Sequence, residues 1–264
     1  MDEPTHPAEG PPLPAGVPEL FALPREREEV APGAVHLPGW LDPEQQRELV
    51  VRCRAWASGP APLRHAVLPG GGRMSVRSAT LGRDWEPYRY RRTGPGTRAP
   101  AVPQDLRELG RRAVAEAYGP GAPAAQDYRP DTVLVNFYDA AARMGMHQDR
   151  DEASAAPIVS LSLGDACVFR FGNTLTRSAP YRDLELRSGD LFVFGGPSRY
   201  AFHGVPRIRP GTAPVGLGMR GGRLNLTLRM TERAPAHGDR APRDRAPGTE
   251  RPGTEGPRDR APRD

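Results

Sequence analysis

A chain of 264 residues with 30 glycines and 32 prolines is long enough for one sizeable core and rich in turns, which favours a single domain with loose ends. No apolar run approaches the roughly 20 residues that cross a bilayer. Met1-Asp2-Glu3-Pro4 lacks the basic and apolar regions of a signal peptide, so a cytoplasmic protein with no membrane partner is the expectation. The net charge is +5 with lysine absent, so all 37 basic residues are arginine. That excess suggests a phosphate-bearing partner, although the codon bias of a GC-rich genome produces the same composition. Cys53 and Cys167 lie singly in apolar segments and read as reduced core residues.

Residues 1–18 are Pro/Gly-rich and expected to be disordered, with folded structure starting between Pro18 and Val35. Asp42-Pro43-Glu44-Gln45 opens a helix: Asp42 caps, Pro43 suits the first turn and Gln45 reaches back to the cap. Its buried stripe is Leu49, Val50, Cys53, Trp56 and Ala57, and Ser58-Gly59-Pro60 stops it. Further on, Arg83, Trp85, Tyr88, Arg89, Tyr90, Arg91 and Arg92 interleave cations with aromatics, as proteins that bind single strands do. The competing reading is a core tryptophan beside a solvated arginine run. A second helix is predicted from about Pro103 to Tyr118, with Leu106, Leu109, Ala113, Val114 and Ala117 on one face and Gly119-Pro120 at its end. After Asp131 short alternating runs dominate, the pattern of an antiparallel sandwich or barrel. From Ala234 onward Arg-Ala-Pro-Arg-Asp and Arg-Ala-Pro-Gly-Thr-Glu repeats bury too little apolar surface to offset chain entropy, so 234–264 is expected to be a disordered tail.

Three segments of the β-rich part carry chemistry. In Thr132-Val133-Leu134-Val135-Asn136-Phe137-Tyr138, Asn136 and Tyr138 share one strand face, opposite Val133, Val135 and Phe137. In Arg223-Leu224-Asn225-Leu226-Thr227-Leu228-Arg229, three leucines take one face and two guanidinium groups the other. For an isolated strand, such polar residues are ordinary solvated groups. His147-Gln148-Asp149 places an imidazole and a carboxylate on the same side of an extended chain, whereas on a helix they diverge by roughly 200°. His203 follows the strand Leu191-Phe192-Val193-Phe194 and is the third ligand candidate. Two histidines and a carboxylate suit iron(II) with positions left open. H-x-D alone is weak; its combination with a distant His and two co-facial arginines is the set needed for iron and a dicarboxylate.

Val135-Asn136-Phe137-Tyr138, His147-Gln148-Asp149-Arg150-Asp151-Glu152, Pro157-Ile158-Val159-Ser160-Leu161-Ser162-Leu163-Gly164 and Arg223 to Arg229 together resemble the bacterial AlkB DNA-repair dioxygenases. The similarity runs from roughly Leu20 to Arg233 and includes both helices and Met74-Ser75-Val76. It implies an α+β, mainly β fold: a double-stranded β-helix, or jelly roll, with helices on one sheet and an amino-terminal nucleotide-recognition lid. The domain would span 19–233, with the lid at about 62–98 and the jelly-roll core at about 131–231. By the same resemblance His147, Asp149 and His203 hold iron(II), and Asn136, Tyr138, Arg223, Asn225 and Arg229 bind 2-oxoglutarate. Trp85 stacks on the base, Tyr88 and Tyr90 contact phosphate, Asp151 sits near the extruded base, and Arg177 lies near the substrate. The lid loop is several residues shorter than the family's.

The implied activity is oxidative demethylation of N-alkylated DNA bases such as 1-methyladenine and 3-methylcytosine. It uses iron(II), 2-oxoglutarate and O2, prefers single strands, and releases formaldehyde and succinate. A monomer is the simplest expectation. Two other readings stand beside this one: the same iron chemistry on RNA, protein or a small molecule, and a non-catalytic nucleic-acid-binding protein with the same fold.

Overall fold

A computed structural model describes residues 25–87, 89–91 and 99–232. The expected disordered ends at 1–18 and 234–264, together with Tyr88, Arg92 and the rest of the expected lid to 98, lie outside these residues. In chain order the first elements are β1 (Glu28–Ala31), β2 (Ala34–Leu37), α1 (Pro43–Ser58), β3 (Arg64–Val67) and β4 (Arg73–Gly82). A short hairpin of β5 (Asp84–Glu86) and β6 (Arg89–Arg91) leads to α2 (Gln104–Tyr118) and α3 (Pro123–Gln126). The β-rich part comprises β7 (Thr132–Tyr138), β8 (Met144–His147), β9 (Ile158–Gly164), β10 (Ala166–Phe171), β11 (Arg182–Leu186), β12 (Leu191–Phe194), β13 (His203–Arg209) and β14 (Arg223–Arg229).

Local chemistry explains both long helices. Asp42 accepts from the backbone amides of Glu44 and Gln45 while the Gln45 side chain accepts from Asp42 N, so the capping box forms as predicted. The stripe of α1 buries Leu49, Val50 and Cys53, with Trp56 packed at its margin. Gln46, absent from the predicted stripe, is also buried because its amide donates to Leu41 O and its carbonyl accepts from Ser188. In α2, Leu106, Ala113, Val114 and Ala117 are buried as expected and Leu109 packs at the edge. Gly110 joins them: a Cβ there would stand 2.9 Å from Leu228 Cδ2 and 3.1 Å from the Tyr128 ring, so the helix approaches the sheet more closely than any other residue permits.

Eight strands form one sheet in the order β1-β2-β12-β9-β14-β7-β4-β3, and four form another in the order β11-β10-β13-β8. Every pairing is antiparallel. This is the expected jelly roll, mainly β with few helices. The residues of α1 and α2 pack with Val133, Val135, Leu224, Leu226 and Leu228 of the large sheet in one apolar cluster. A second cluster, with Ile158, Phe169, Phe171, Phe192, Phe194 and Val205, joins the two sheets. Each fully buried leucine, such as Leu226 or Leu228, contributes about 1.5–3 kcal/mol. Both cysteines are buried and unbridged.

One consequence of this layering bears on the site. The polar faces of β7 and β14 are not solvated, since the second sheet closes over them while the helices cover the opposite face: Arg223 is 1% exposed, Asn225 8% and Arg229 7%. Among the described residues no helix is long and apolar enough to cross a membrane.

Candidate active site

Strand pairing brings the candidate ligands together. β8 ends at His147, β13 begins at His203, and the two residues are partners in the ladder, with ring centroids 4.4 Å apart. Beyond β8 the chain stays non-helical, so Asp149 returns to the side of His147: its Oδ1 lies 3.6 Å from His147 Nε2 and its Oδ2 3.7 Å from His203 Nε2. One ligand atom from each of the three residues lies within 4.8 Å of the others.

Each imidazole is oriented by a backbone carbonyl. His147 Nδ1 is 3.0 Å from Gly145 O, and His203 Nδ1 is 3.0 Å from Ala201 O. A carbonyl only accepts, so Nδ1 carries a hydrogen in each ring and Nε2 is the nitrogen turned toward Asp149. Burial, with His147 alongside, lowers the His203 pKa to about 4, which keeps that ring neutral. Burial opposes ionisation of Asp149, but Arg229 and the two histidines outweigh it and hold the carboxyl well below its usual range. Arg229 Nη2 stands 2.9 Å from Asp149 Oδ2, yet among the described residues Oδ2 accepts no hydrogen bond, because the guanidinium N–H is not aligned with it. Two imidazole nitrogens and an ionised carboxylate fit iron(II).

The polar face of β7 and β14 lines the same cavity of about 50 Å³, together with His147, Asp149 and His203. Ladder register sets Arg223 opposite Tyr138 and Asn225 opposite Asn136. Asn225 is held by Ser160 Oγ at 2.8 Å and Thr227 Oγ1 at 2.9 Å, and Asn136 accepts from Ser78 Oγ at 2.7 Å. Among the described residues Arg223 donates once, from Nη2 to Ser162 Oγ at 3.0 Å, while its Nε and Nη1 and the Nε of Arg229 have no partner. Leaving charged donors buried without an acceptor costs at least about 1–3 kcal/mol each. An anionic oxygen ligand answers that requirement, and two guanidinium groups lining one cavity suit the two ends of a dicarboxylate.

Outside this cavity, a cleft of about 700 Å³ is bounded by β3, β4 and the β5–β6 hairpin. Ser78 lines the cleft and bonds Asn136 of the inner cavity, so the two adjoin. Trp85 lines the cleft, half-buried, with its Nε1 donating to Asp151 Oδ2 at 3.0 Å. Tyr90 turns inward: its hydroxyl donates to Glu152 Oε1 at 3.1 Å and accepts from Arg229 Nη1 at 3.0 Å. Arg177 is exposed, with its guanidinium carbon 5.9 Å from the centre of the Phe202 ring, one residue before His203. Tyr88 lies outside the described residues.

A family model described as the 2OG-Fe(II) oxygenase superfamily matches residues 33–229, an interval containing every ligand candidate. The chain belongs to the 2OG-Fe(II) oxygenase superfamily. Within this superfamily it is AlkB-type. It is 42% identical to an alpha-ketoglutarate-dependent dioxygenase AlkB homolog of Caulobacter vibrioides over 78% of this chain and 90% of that one. It is 38% identical to Escherichia coli alpha-ketoglutarate-dependent dioxygenase AlkB over 64% and 77% respectively. An Arabidopsis thaliana protein, DNA N(6)-methyladenine demethylase ALKBH1D, is 35% identical over 80% of this chain. This oxygenase spans only about half the length of that relative, 52%. The solved structure of OsALKBH1 matches with a TM-score of 0.66 at 34% identity, over 77% of this chain and all of that one.

Sequence reasoning assigned no role to Ser78, Ser160, Ser162, Glu152 or Arg199. The serines sit at alternate positions of their strands and support the amide and guanidinium groups only through ladder neighbours, so pattern alone does not reveal them. Glu152 and Arg199 form a buried ion pair at 3.1 Å, a partnership across 47 residues that no local signal marks.

Proposed function

We propose that this oxygenase removes N-methyl and related N-alkyl groups from nucleic-acid bases, using iron(II), 2-oxoglutarate and O2 and releasing succinate, carbon dioxide and, from a methyl group, formaldehyde. The reading is carried by one observation: the His147, Asp149 and His203 cluster shares its cavity with Arg223, whose Nε and Nη1 are buried with no partner among the described residues. When bound, iron(II) with 2-oxoglutarate supplies the oxidising chemistry. The chain's contributions are binding, orientation and exclusion of water. His147, Asp149 and His203 hold the metal. Arg223 and Arg229 take the two carboxylate ends of 2-oxoglutarate, with Asn136, Tyr138 and Asn225 along its length.

The β5–β6 hairpin acts as part of a nucleotide-recognition lid at about 62–98. A flipped base enters from the outer cleft, stacking on Trp85 with Asp151 beside it. Tyr90 and Arg177 belong to the same nucleic-acid-facing region, with Tyr90 reaching phosphate only by leaving Glu152, and Tyr88 is the other phosphate contact that the family resemblance implies. The substrate is alkylated DNA, single-stranded by preference, and the enzyme works as a cytoplasmic monomer. Single-stranded oligonucleotides carrying 1-methyladenine, 3-methylcytosine or N6-methyladenine test this, with their mass followed beside a His147→Ala control. Loss of a methyl group with the wild type alone is the expected result. Succinate formation without any change in oligonucleotide mass redirects the same chemistry to RNA, protein or small molecules. Absence of both products with iron-loaded, folded protein removes the proposal.

A further inference from the structure

We infer that Arg199 is a positioning residue for the metal site, fixing Asp149 from behind while its own segment orients His203. This rests on the iron-binding reading above and extends it to a residue outside the proposed ligand sets. From Gln148 to Pro157 the chain has neither helix nor strand, so its carbonyls lack ladder partners. One guanidinium, 2% exposed, supplies them. Arg199 Nη1 donates to Asp149 O at 2.7 Å, Nε to Ala156 O at 2.7 Å, and Nη2 to Ser154 O at 3.4 Å and Glu152 Oε2 at 3.1 Å. The whole turn after the H-x-D motif is wrapped around this side chain.

The other end of Arg199 leads directly to the second histidine. Ala201, two residues on, provides the carbonyl that orients His203 Nδ1, and Tyr200 O accepts from the Gln148 amide. Glu152 then extends the connection: its Oε1 accepts from Arg229 Nη1 at 2.6 Å, and Arg229 Nη2 faces Asp149 Oδ2 at 2.9 Å. Arg199, Glu152, Arg229 and Asp149 therefore form a closed ring of two guanidinium and two carboxylate groups, tied back to Arg199 through the Asp149 backbone. Displacing any member moves the Asp149 carboxylate and the guanidinium assigned to 2-oxoglutarate together. The fork is essential, since an ammonium in its place is a single point that cannot span four acceptors set around the turn.

Arg199→Lys tests this in the full-length protein, because it keeps the charge and removes the fork. Mn(II) affinity is measured by titration calorimetry without any nucleic acid, and the visible spectrum of the Co(II)-loaded protein is recorded alongside. The expected result is a fall in Mn(II) affinity of about 10–100-fold with an altered Co(II) spectrum, the scale on which residues supporting metal ligands act. Gln46→Ala, which removes a buried network on α1, is the control for general loss of stability and should leave both readouts at wild-type values. A folded Arg199→Lys protein with Mn(II) affinity within twofold of wild type and an unchanged Co(II) spectrum overturns the inference. Equal losses in Gln46→Ala also overturn it, by reducing the effect to stability. Wild-type protein that binds no Mn(II) removes the iron reading itself, and this inference with it.

Discussion

His147 and His203 face each other across the β8–β13 ladder with ring centroids 4.4 Å apart, 56 residues apart in sequence. Their Nε2 atoms converge on Asp149, each ring being turned by a carbonyl two residues before it. Replacing Asp149 by Ala leaves two imidazole nitrogens and removes the carboxylate of the three-residue set. Mn(II) binding in Asp149→Ala is expected to fall by at least about 100-fold, with no 2-oxoglutarate turnover. Full activity in this variant, measured as succinate formation, would falsify the placement of Asp149 at the metal.

Arg223→Lys preserves charge but loses the fork whose Nε and Nη1 face the cavity. The expected outcome is a KM for 2-oxoglutarate raised about 10–100-fold, as for loss of a charged hydrogen bond of about 1.5–3 kcal/mol, with Mn(II) affinity retained. An unchanged KM places the dicarboxylate elsewhere.

Trp85→Ala addresses the outer cleft alone. Stacking on an aromatic ring contributes about 1–3 kcal/mol per base, so affinity for a methylated oligonucleotide should drop about 5–100-fold while the KM for 2-oxoglutarate stays put. Intact oligonucleotide turnover removes Trp85 from the base pocket.

A pH-dependent contribution to stability lies away from the metal site. Asp190 is fully buried, and Arg25, His36 Nε2 and the amides of Gly39 and Arg187 all bond its carboxylate. Burial opposes its ionisation, but His36 and Arg25 with these amides prevail and lower its pKa to about 2. A depressed carboxyl stabilises the fold above its unfolded value, near 3.8, and loses that contribution as pH falls through the folded value. The stabilisation is about 2 kcal/mol at neutral pH. Denaturant titrations of wild type and Asp190→Asn should differ most above pH 4 and converge toward pH 2; a pH-independent gap contradicts the assignment.

Much of the catalytic chemistry was legible in local pattern. Strand parity put Asn136 with Tyr138 and Arg223 with Arg229, and an extended H-x-D put His147 and Asp149 on one side, because the period of two is a property of the backbone itself. The capping box at Asp42 was readable for the same reason, since its partners lie within three residues. Local pattern did not disclose that the polar strand face is buried. The alternation of β14 is equally consistent with solvent on its polar side, and only the second sheet closing over it makes Arg223 and Arg229 interior groups.

By itself, then, the sequence determined which side chains share a strand face, where the two long helices begin and end, and which donor set is present. The tertiary structure decided where those faces meet: the register of His203 on His147, the unpartnered nitrogens of Arg223, the inward turn of Tyr90, and the Arg199 guanidinium that holds the turn after Asp149. The physical reason is range. Backbone periodicity and capping act over a few residues, whereas burial and the pairing of buried charges depend on which distant strands close over one another.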